Sequence, residues 1–198
     1  MSVSNKQKYY LQSRHIYNSW VAAGEPKLRT IMECAVGHWS LLQRFEGLAD
    51  KTVLIEPDPK MAKAARERYR WAEVIEVAVH DGYGIANLRR LGGQSYIKGV
   101  GWCPAFSSKT PALKTAGKVA VATVPFTALD DGKIDVLNLD SEGCEWYVLK
   151  RMVSRPVLIQ IELYKRNKYY KQICEWLVGE GYRQVARWGN ANKIYEKV

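Results

Sequence analysis

The segment Asp140-Ser141-Glu142-Gly143-Cys144-Glu145 sets three carboxylates directly after the apolar run IDVLNL (134–139). Acids at a strand-to-helix turn can cap free N–H groups and are favoured by the helix dipole. Capping accounts for one or two of them, and less well for an acid at the carboxyl edge of a sheet. An acid there can take a proton from an acceptor or orient one, which makes Asp140 the candidate base or orienter, with Glu142 beside it. Glu162 ends the run VLIQIEL (157–163) and is expected to neighbour Asp140 across adjacent strands. Asp140 and Glu162 together could hold a hard divalent cation such as Mg²⁺ through oxygen ligands. Such pairs also act as base and orienter, and a metal is the less favoured of the two uses.

Two further acids close earlier apolar runs. Glu33 is followed by small residues at Ala35 and Gly37, without the G-x-G-x-x-G pattern that brings a helix N-terminus to a pyrophosphate. The arrangement suits a cofactor with an amino-acid tail. Glu33 would fix the ammonium group directly or through backbone or water, and Ala35 and Gly37 would let the backbone approach. Glu56, twenty-three residues beyond Glu33, is placed to accept hydrogen bonds from ribose hydroxyls, with Pro57 turning the chain beside it. Ala78 and Val79, small and apolar, could line an adenine slot. His80, the next residue, would point into the cleft mouth as a possible second base, although a lone histidine is more often a local hydrogen-bonder.

These residues need elements that bring them to one edge. Strand character is expected at 28–34, 51–57, 72–79, 119–126, 134–139 and 157–163. Helices are expected at 5–22, 39–48, 59–69 (opened by Asp58 as N-cap and Pro59 at N1), 142–152 and 167–177. YRQVARW and NKIYEKV, joined by Gly189-Asn190, read as a terminal hairpin. Alternating strands and helices predict an α/β, doubly wound, mostly parallel sheet with ligands at the carboxyl ends of its strands. The Gly-, Ser- and Pro-rich span 82–118 is long for a loop and reads as a lid and substrate wall that could hide a strand pair. Tyr96, Trp102 and Phe106 are its candidate stacking residues.

At 198 residues the chain suits a single domain, with 1–27 as a helical extension. No apolar run is long enough to span a bilayer and the N-terminus has no secretory h-region. The four cysteines are widely spaced and read as reduced thiols of a cytoplasmic protein. The net charge is +10. No acid precedes Glu25, none lies between Tyr83 and Leu129, and YKRNKYYK (164–171) is a further basic run. Such fields attract anions, including an anionic small molecule or nucleic acid.

The segment IDVLNLDSEGCEWYVL resembles the signature I-D-x-L-K-I-D-x-E-G-x-E-x-x-V-L of the FkbM methyltransferases, matching it at Asp135, Asp140, Glu142, Gly143, Glu145, Val148 and Leu149. VPFTALDD, EPDP (56–59), AVHDGYGIANL and IEL (161–163) resemble other segments of that family, in order, from about Thr30 to Leu163. Asn138 stands where the family usually has Lys, and Ala35 where it usually has Gly. The resemblance implies a Rossmann-like class I methyltransferase fold, with a seven-stranded, mostly parallel sheet ending in an antiparallel hairpin. It also implies S-adenosylmethionine as cofactor and O-methylation of a sugar or other natural-product hydroxyl. Two other readings remain at this stage: an RNA methyltransferase or RNA-binding module using the basic, aromatic span 83–129, and a non-catalytic fold that binds a partner. The sequence does not fix the oligomeric state.

Overall fold

A computed structural model describes residues 27–37, 40–91, 95–100 and 117–198. The expected helix at 5–22, the residues Trp102 and Phe106, and the centre of the 82–118 span lie outside them.

Seven strands form the main sheet: β1 (Leu28–Cys34), β2 (Ala49–Ile55), β3 (Glu73–Ile75), β8 (Ile134–Leu139), β9 (Leu158–Glu162), β10 (Tyr182–Trp188) and β11 (Asn192–Lys197). Their spatial order is β10-β11-β9-β8-β1-β2-β3. Every pairing is parallel except those of β11, which runs against both β9 and β10. The α/β fold with a closing antiparallel hairpin is therefore the one the sequence pattern implied. Its turn is at Gly189, whose φ of 55° suits a residue without Cβ. The chain winds outward from β1 to β3, then returns to lay β8 on the other side of β1. That reversal opens a crevice at the carboxyl ends of β1 and β8.

The β8 run is buried along its whole length, as expected of a strand covered on both faces. Leu137 and Leu139 enter one apolar cluster with Met32, Cys34, Ile159 and Ile161. Val136 enters another with Ile31, Leu42, Phe45 and Leu54, as strand alternation requires.

Among the described residues three α-helices pack on the sheet: α1 (Pro59–Arg68), α2 (Glu145–Leu149) and α3 (Tyr170–Gly179). Asp58 caps α1, accepting a hydrogen bond from the Lys60 N–H, with Pro59 at the first turn. The helix expected at 39–48 is only a 3-10 stretch at Leu41–Phe45, ended by Gly47 at φ 77°. The helix expected from Glu142 begins at Glu145, because Glu142 and Gly143 both adopt positive φ.

A second sheet contains β4 (Ala78–Val79), β5 (Gly84–Arg90), β6 (Tyr96–Ile97) and β7 (Gly117–Val124), in the order β4-β7-β5-β6. The single strand expected over 72–79 is thus two: β3 stays in the main sheet, whereas β4 pairs parallel with β7. The Val77 N–H bonds back to the Ile75 carbonyl at 3.2 Å, which breaks the strand between them. The 82–118 span does hold a strand pair, since β5 runs antiparallel to both β6 and β7. The small sheet contributes Leu88, Ile97 and Val121 to the same core as β1 and β8. No helix of the described residues is long and apolar enough to cross a membrane.

Candidate active site

Among the described residues only two non-glycines have positive φ, Ala35 at 67° and Glu142 at 49°. Each costs about 1–2 kcal/mol relative to right-handed backbone. They lie just past the ends of the adjacent strands β1 and β8, and the Asp140 N–H reaches the Cys34 carbonyl between them at 3.4 Å. Strain of this kind concentrates where chain geometry serves a site. Ala35→Gly is expected to relieve it. Chemical denaturation should show stability unchanged or raised by up to about 1 kcal/mol, with the denaturant slope unaltered.

The two strained turns flank a cleft. It is lined by Cys34, Ala35, Ser141 and Cys144 from β1 and the turns after β1 and β8, by Ile55 and Pro57 at the end of β2, and by Val77, Ala78, Val79, Leu88, Ser95, Tyr96 and Ile97. The last group gives it a mostly apolar slot of the kind that takes a flat heterocycle. Tyr96, a candidate substrate residue by sequence, lines this slot with Ala78 and Val79.

Glu56 is buried between Ile55 and Pro57, two residues that line the cleft. One carboxylate oxygen accepts from the Gly37 N–H and the other from the Asp58 N–H, both at 2.8 Å. It thereby ties together the turns after β1 and β2. Burial raises its pKa, against the pull of these backbone donors. Asp58 holds Arg90 of β5 through two bonds of 2.6 and 2.8 Å. Burial pushes the Asp58 carboxyl up, but Arg90 and the α1 N–H groups hold it below the usual range. This ion pair fastens the small sheet over the cleft. Sequence reading missed it, since nothing in the spacing of Asp58 and Arg90 links them.

Glu33 is 1% exposed. Its carboxylate accepts from Ser40 Oγ at 2.5 Å, the Leu42 N–H at 3.3 Å and Asn138 Nδ2 at 3.0 Å. Its contact with the Ala35–Gly37 turn therefore runs through the segment that follows it. Asn138, where the family usually has lysine, is buried in the register position beside Glu33. Its amide meets Glu33 and lies away from the cleft lining.

At the end of β8, Asp140, Glu142 and Glu162 each bring one carboxylate oxygen within 4.8 Å of the others, a set of hard oxygen donors. Glu162 lies one register step beyond the Leu139–Ile161 pair. Burial, then the neighbouring Asp140 carboxylate, pushes the Glu162 pKa up to about 8. Tyr164 donates to its Oε1 at 3.0 Å, and the burial that surrounds both groups raises the phenol as well.

Glu145 anchors this turn. It accepts from Ser141 Oγ at 3.2 Å and the Gly143 N–H at 3.0 Å, and its other oxygen accepts from Asn167 Nδ2 at 3.0 Å. Burial raises its pKa to about 7. A raised pKa favours the folded state fully below the unfolded value near 4.5, and that contribution is lost as pH rises through about 7. The loss should be on the order of 3 kcal/mol between those limits. Glu145→Gln is expected to flatten this fall in stability, which denaturation midpoints across the window would read.

His80 is half-buried and stacks on Tyr147 with ring centroids 4.6 Å apart. It lines a second groove with Tyr83, Asn87, Lys98 and Thr123. Asp135, the first acid of the family-like segment, lies at the opposite end of β8. It takes the Arg29 N–H and guanidinium at 2.6 Å each, so it fastens β8 to β1 far from the cleft.

A sheet of this order with a cleft at its switch point and acids closing β1, β2 and β8 defines a class I methyltransferase. The Methyltransferase FkbM domain matches residues 25–184, and the chain belongs to that family of S-adenosylmethionine-dependent methyltransferases. Among solved structures it is similar to HI0767 of Haemophilus influenzae, described as a candidate methylase, at 12% identity and a TM-score of 0.52, covering 96% of this chain and 99% of that one. It is also similar to magnesium protoporphyrin IX methyltransferase of Synechocystis with S-adenosylmethionine bound, at 13% identity and a TM-score of 0.48, covering 100% and 86%. An rRNA methylase of Streptococcus thermophilus gives 12% identity and a TM-score of 0.46, covering 93% and 95%. No curated protein sequence matches the chain.

Proposed function

We propose that the chain methylates a hydroxyl group of a small acceptor, a sugar or other natural product, with Asp140 as the base. The observation that carries this reading is the carboxyl pair Asp140–Glu162, whose Asp140 directly precedes Ser141 in the cleft lining.

The cleft suits S-adenosylmethionine: an apolar slot at Ala78 and Val79 for adenine, Glu56 and Pro57 at the position for the ribose, and the Ala35–Gly37 turn for the amino-acid end. When bound, the cofactor supplies an electrophilic methyl carbon on a sulfonium. The protein's part is to hold the acceptor oxygen in line with that carbon and keep water out. Taking up that methyl group would release the acceptor's hydroxyl proton. Asp140 takes that proton. Glu162, with its raised pKa, keeps its own proton at neutral pH and shares it with Asp140, so that one carboxylate of the pair is ionised. Glu142, itself at positive φ, flanks the pair. His80, stacked on Tyr147 at the second groove, is the second proton acceptor of this reading.

A carboxyl pair that shares a proton does not need a cation. Dialysis against a chelator is therefore expected to leave the rate unchanged, whereas a rate restored only by Mg²⁺ would recast the three acids as ligands. The acceptor class is tested by offering methyl-labelled S-adenosylmethionine with a panel of hydroxylated sugars and polyketides. Label in a base-stable ether supports the reading. Label confined to nitrogen, or to added RNA, overturns it.

A further inference from the structure

Beside the acid turn lies a cluster of tyrosines and cations that proton removal does not use. Tyr147 sits in α2, just after the turn that carries Asp140 and Glu142. Its ring stacks on His80, and it meets Tyr169 edge-on at 5.7 Å, with the two hydroxyls 3.2 Å apart. Lys150 Nζ stands 4.8 Å from the centre of the Tyr147 ring, and Lys168 Nζ 4.7 Å from that of Tyr169. Lys150 pairs with Asp81, and Lys168 donates to the Gly99 carbonyl at 3.4 Å. An ammonium group carries three N–H donors, so each lysine keeps donor capacity beyond its partner among the described residues. Arg151 lies close enough to help hold the Asp81 carboxyl down, after Lys150 and with His80. Lys98 lines the adjoining groove with His80.

Asn167 ties the cluster to the acid turn. Its side chain donates to Glu145 and accepts from the Tyr169 N–H at 2.9 Å. The placement of Tyr169 is thus coupled to that of Asp140.

Resting on the hydroxyl-methylation reading, we propose that Lys150 and Lys168, held over Tyr147 and Tyr169, form an anion subsite, and that the acceptor is a hydroxylated small molecule bearing a phosphate group. Lysines act as point charges that suit a phosphate, whereas a carboxylate is matched better by the planar fork of arginine. Of the two phenols, hydrogen-bonded to each other at 3.2 Å, one donates to the other and the second keeps its O–H for the same oxygens.

The test is calorimetry on the full chain saturated with S-adenosylhomocysteine, titrated with glucose 6-phosphate, inorganic phosphate and glucose. Both phosphates are expected to bind saturably and glucose not to bind. The double variant Lys150→Gln/Lys168→Gln should weaken both phosphates by roughly tenfold while S-adenosylhomocysteine binds as before. Raised ionic strength should weaken the wild type more than the variant. Failure of both phosphates to bind, or equal binding by wild type and variant, would overturn the subsite and leave the methyltransferase reading standing. If S-adenosylhomocysteine itself does not bind, that reading falls as well. Tight binding of a single-stranded oligonucleotide that the double variant loses, with neither phosphate bound, would overturn the small-molecule acceptor.

Discussion

Asp140→Asn is expected to give a folded, cofactor-binding protein that transfers methyl groups about 10²–10⁴-fold more slowly. The amide has the shape of the acid, and the backbone bond from the Asp140 N–H to the Cys34 carbonyl does not involve the side chain. What is lost is the proton acceptor. The change also removes the negative charge that helps keep Glu162 protonated. The Glu162 pKa should therefore fall, and Glu162 could become a poorer base in its place, which sets a floor to the loss. The effect should appear in kcat, with little change in the affinity for S-adenosylhomocysteine. Glu162→Gln should cost less, because the amide still donates to Asp140. A full rate from Asp140→Asn with the natural acceptor would remove Asp140 from the chemistry.

The second large effect is expected at Glu33. A glutamine there keeps one acceptor oxygen for Asn138 or Ser40 but presents an N–H₂ group to donors that need an acceptor. Buried donors left unsatisfied cost about 1–3 kcal/mol each. Ser40 and the Leu42 N–H share one carboxylate oxygen and Asn138 takes the other, so one or two bonds are lost according to which way the amide turns, and Glu33→Gln should destabilise by about 1–3 kcal/mol. It should also loosen the turn at Ala35 and Gly37 and weaken cofactor binding. The double variant Glu33→Gln/Asn138→Asp separates the two effects. It restores an acceptor opposite the new amide and should recover part of the stability. If Glu33→Gln left stability untouched but abolished cofactor binding, the carboxylate would be touching the cofactor itself.

The mostly parallel sheet and its closing hairpin were legible because apolar runs of strand length alternate with helical patterns, and because the hairpin carries its own turn signal at Gly189-Asn190. The acids at strand ends were legible for the same reason, since a parallel strand delivers its last residue to one edge. The neighbourhood of Asp140 and Glu162 follows from two strands of known length in register. Three features were hidden. β4 leaves the third strand because Ala78 and Val79 find a partner in β7, forty-five residues on from each, and periodicity carries no information about partner choice. The positive φ of Glu142 shortens the following helix, whereas the residue type argues for a helix there. The ties of Asp58 to Arg90, and of Asn167 to Glu145, join segments with no sequence relation.

Asn138 shows how a family-like segment divides by role. Its place beside Glu33 makes the lysine-to-asparagine departure a matter of how a buried acid is satisfied, and not a direct statement about the acceptor. Asp135 likewise holds β8 to Arg29, whereas Asp140, five residues further on, faces the cleft end of the strand. One strand thus carries a structural acid at its amino end, a positioning amide near its middle and the candidate base at its carboxyl end.

We propose that the cleft between the strained turns takes S-adenosylmethionine with its adenine against Ala78 and Val79. Calorimetric titration of wild type and Ala78→Trp with S-adenosylhomocysteine tests it most directly, because the indole would fill the slot without touching Glu33, Glu56 or Asp140. One site per chain in the wild type, with affinity reduced at least about 100-fold in Ala78→Trp, is the predicted result. Absence of binding by folded wild type, or equal affinity in the two proteins, would contradict it.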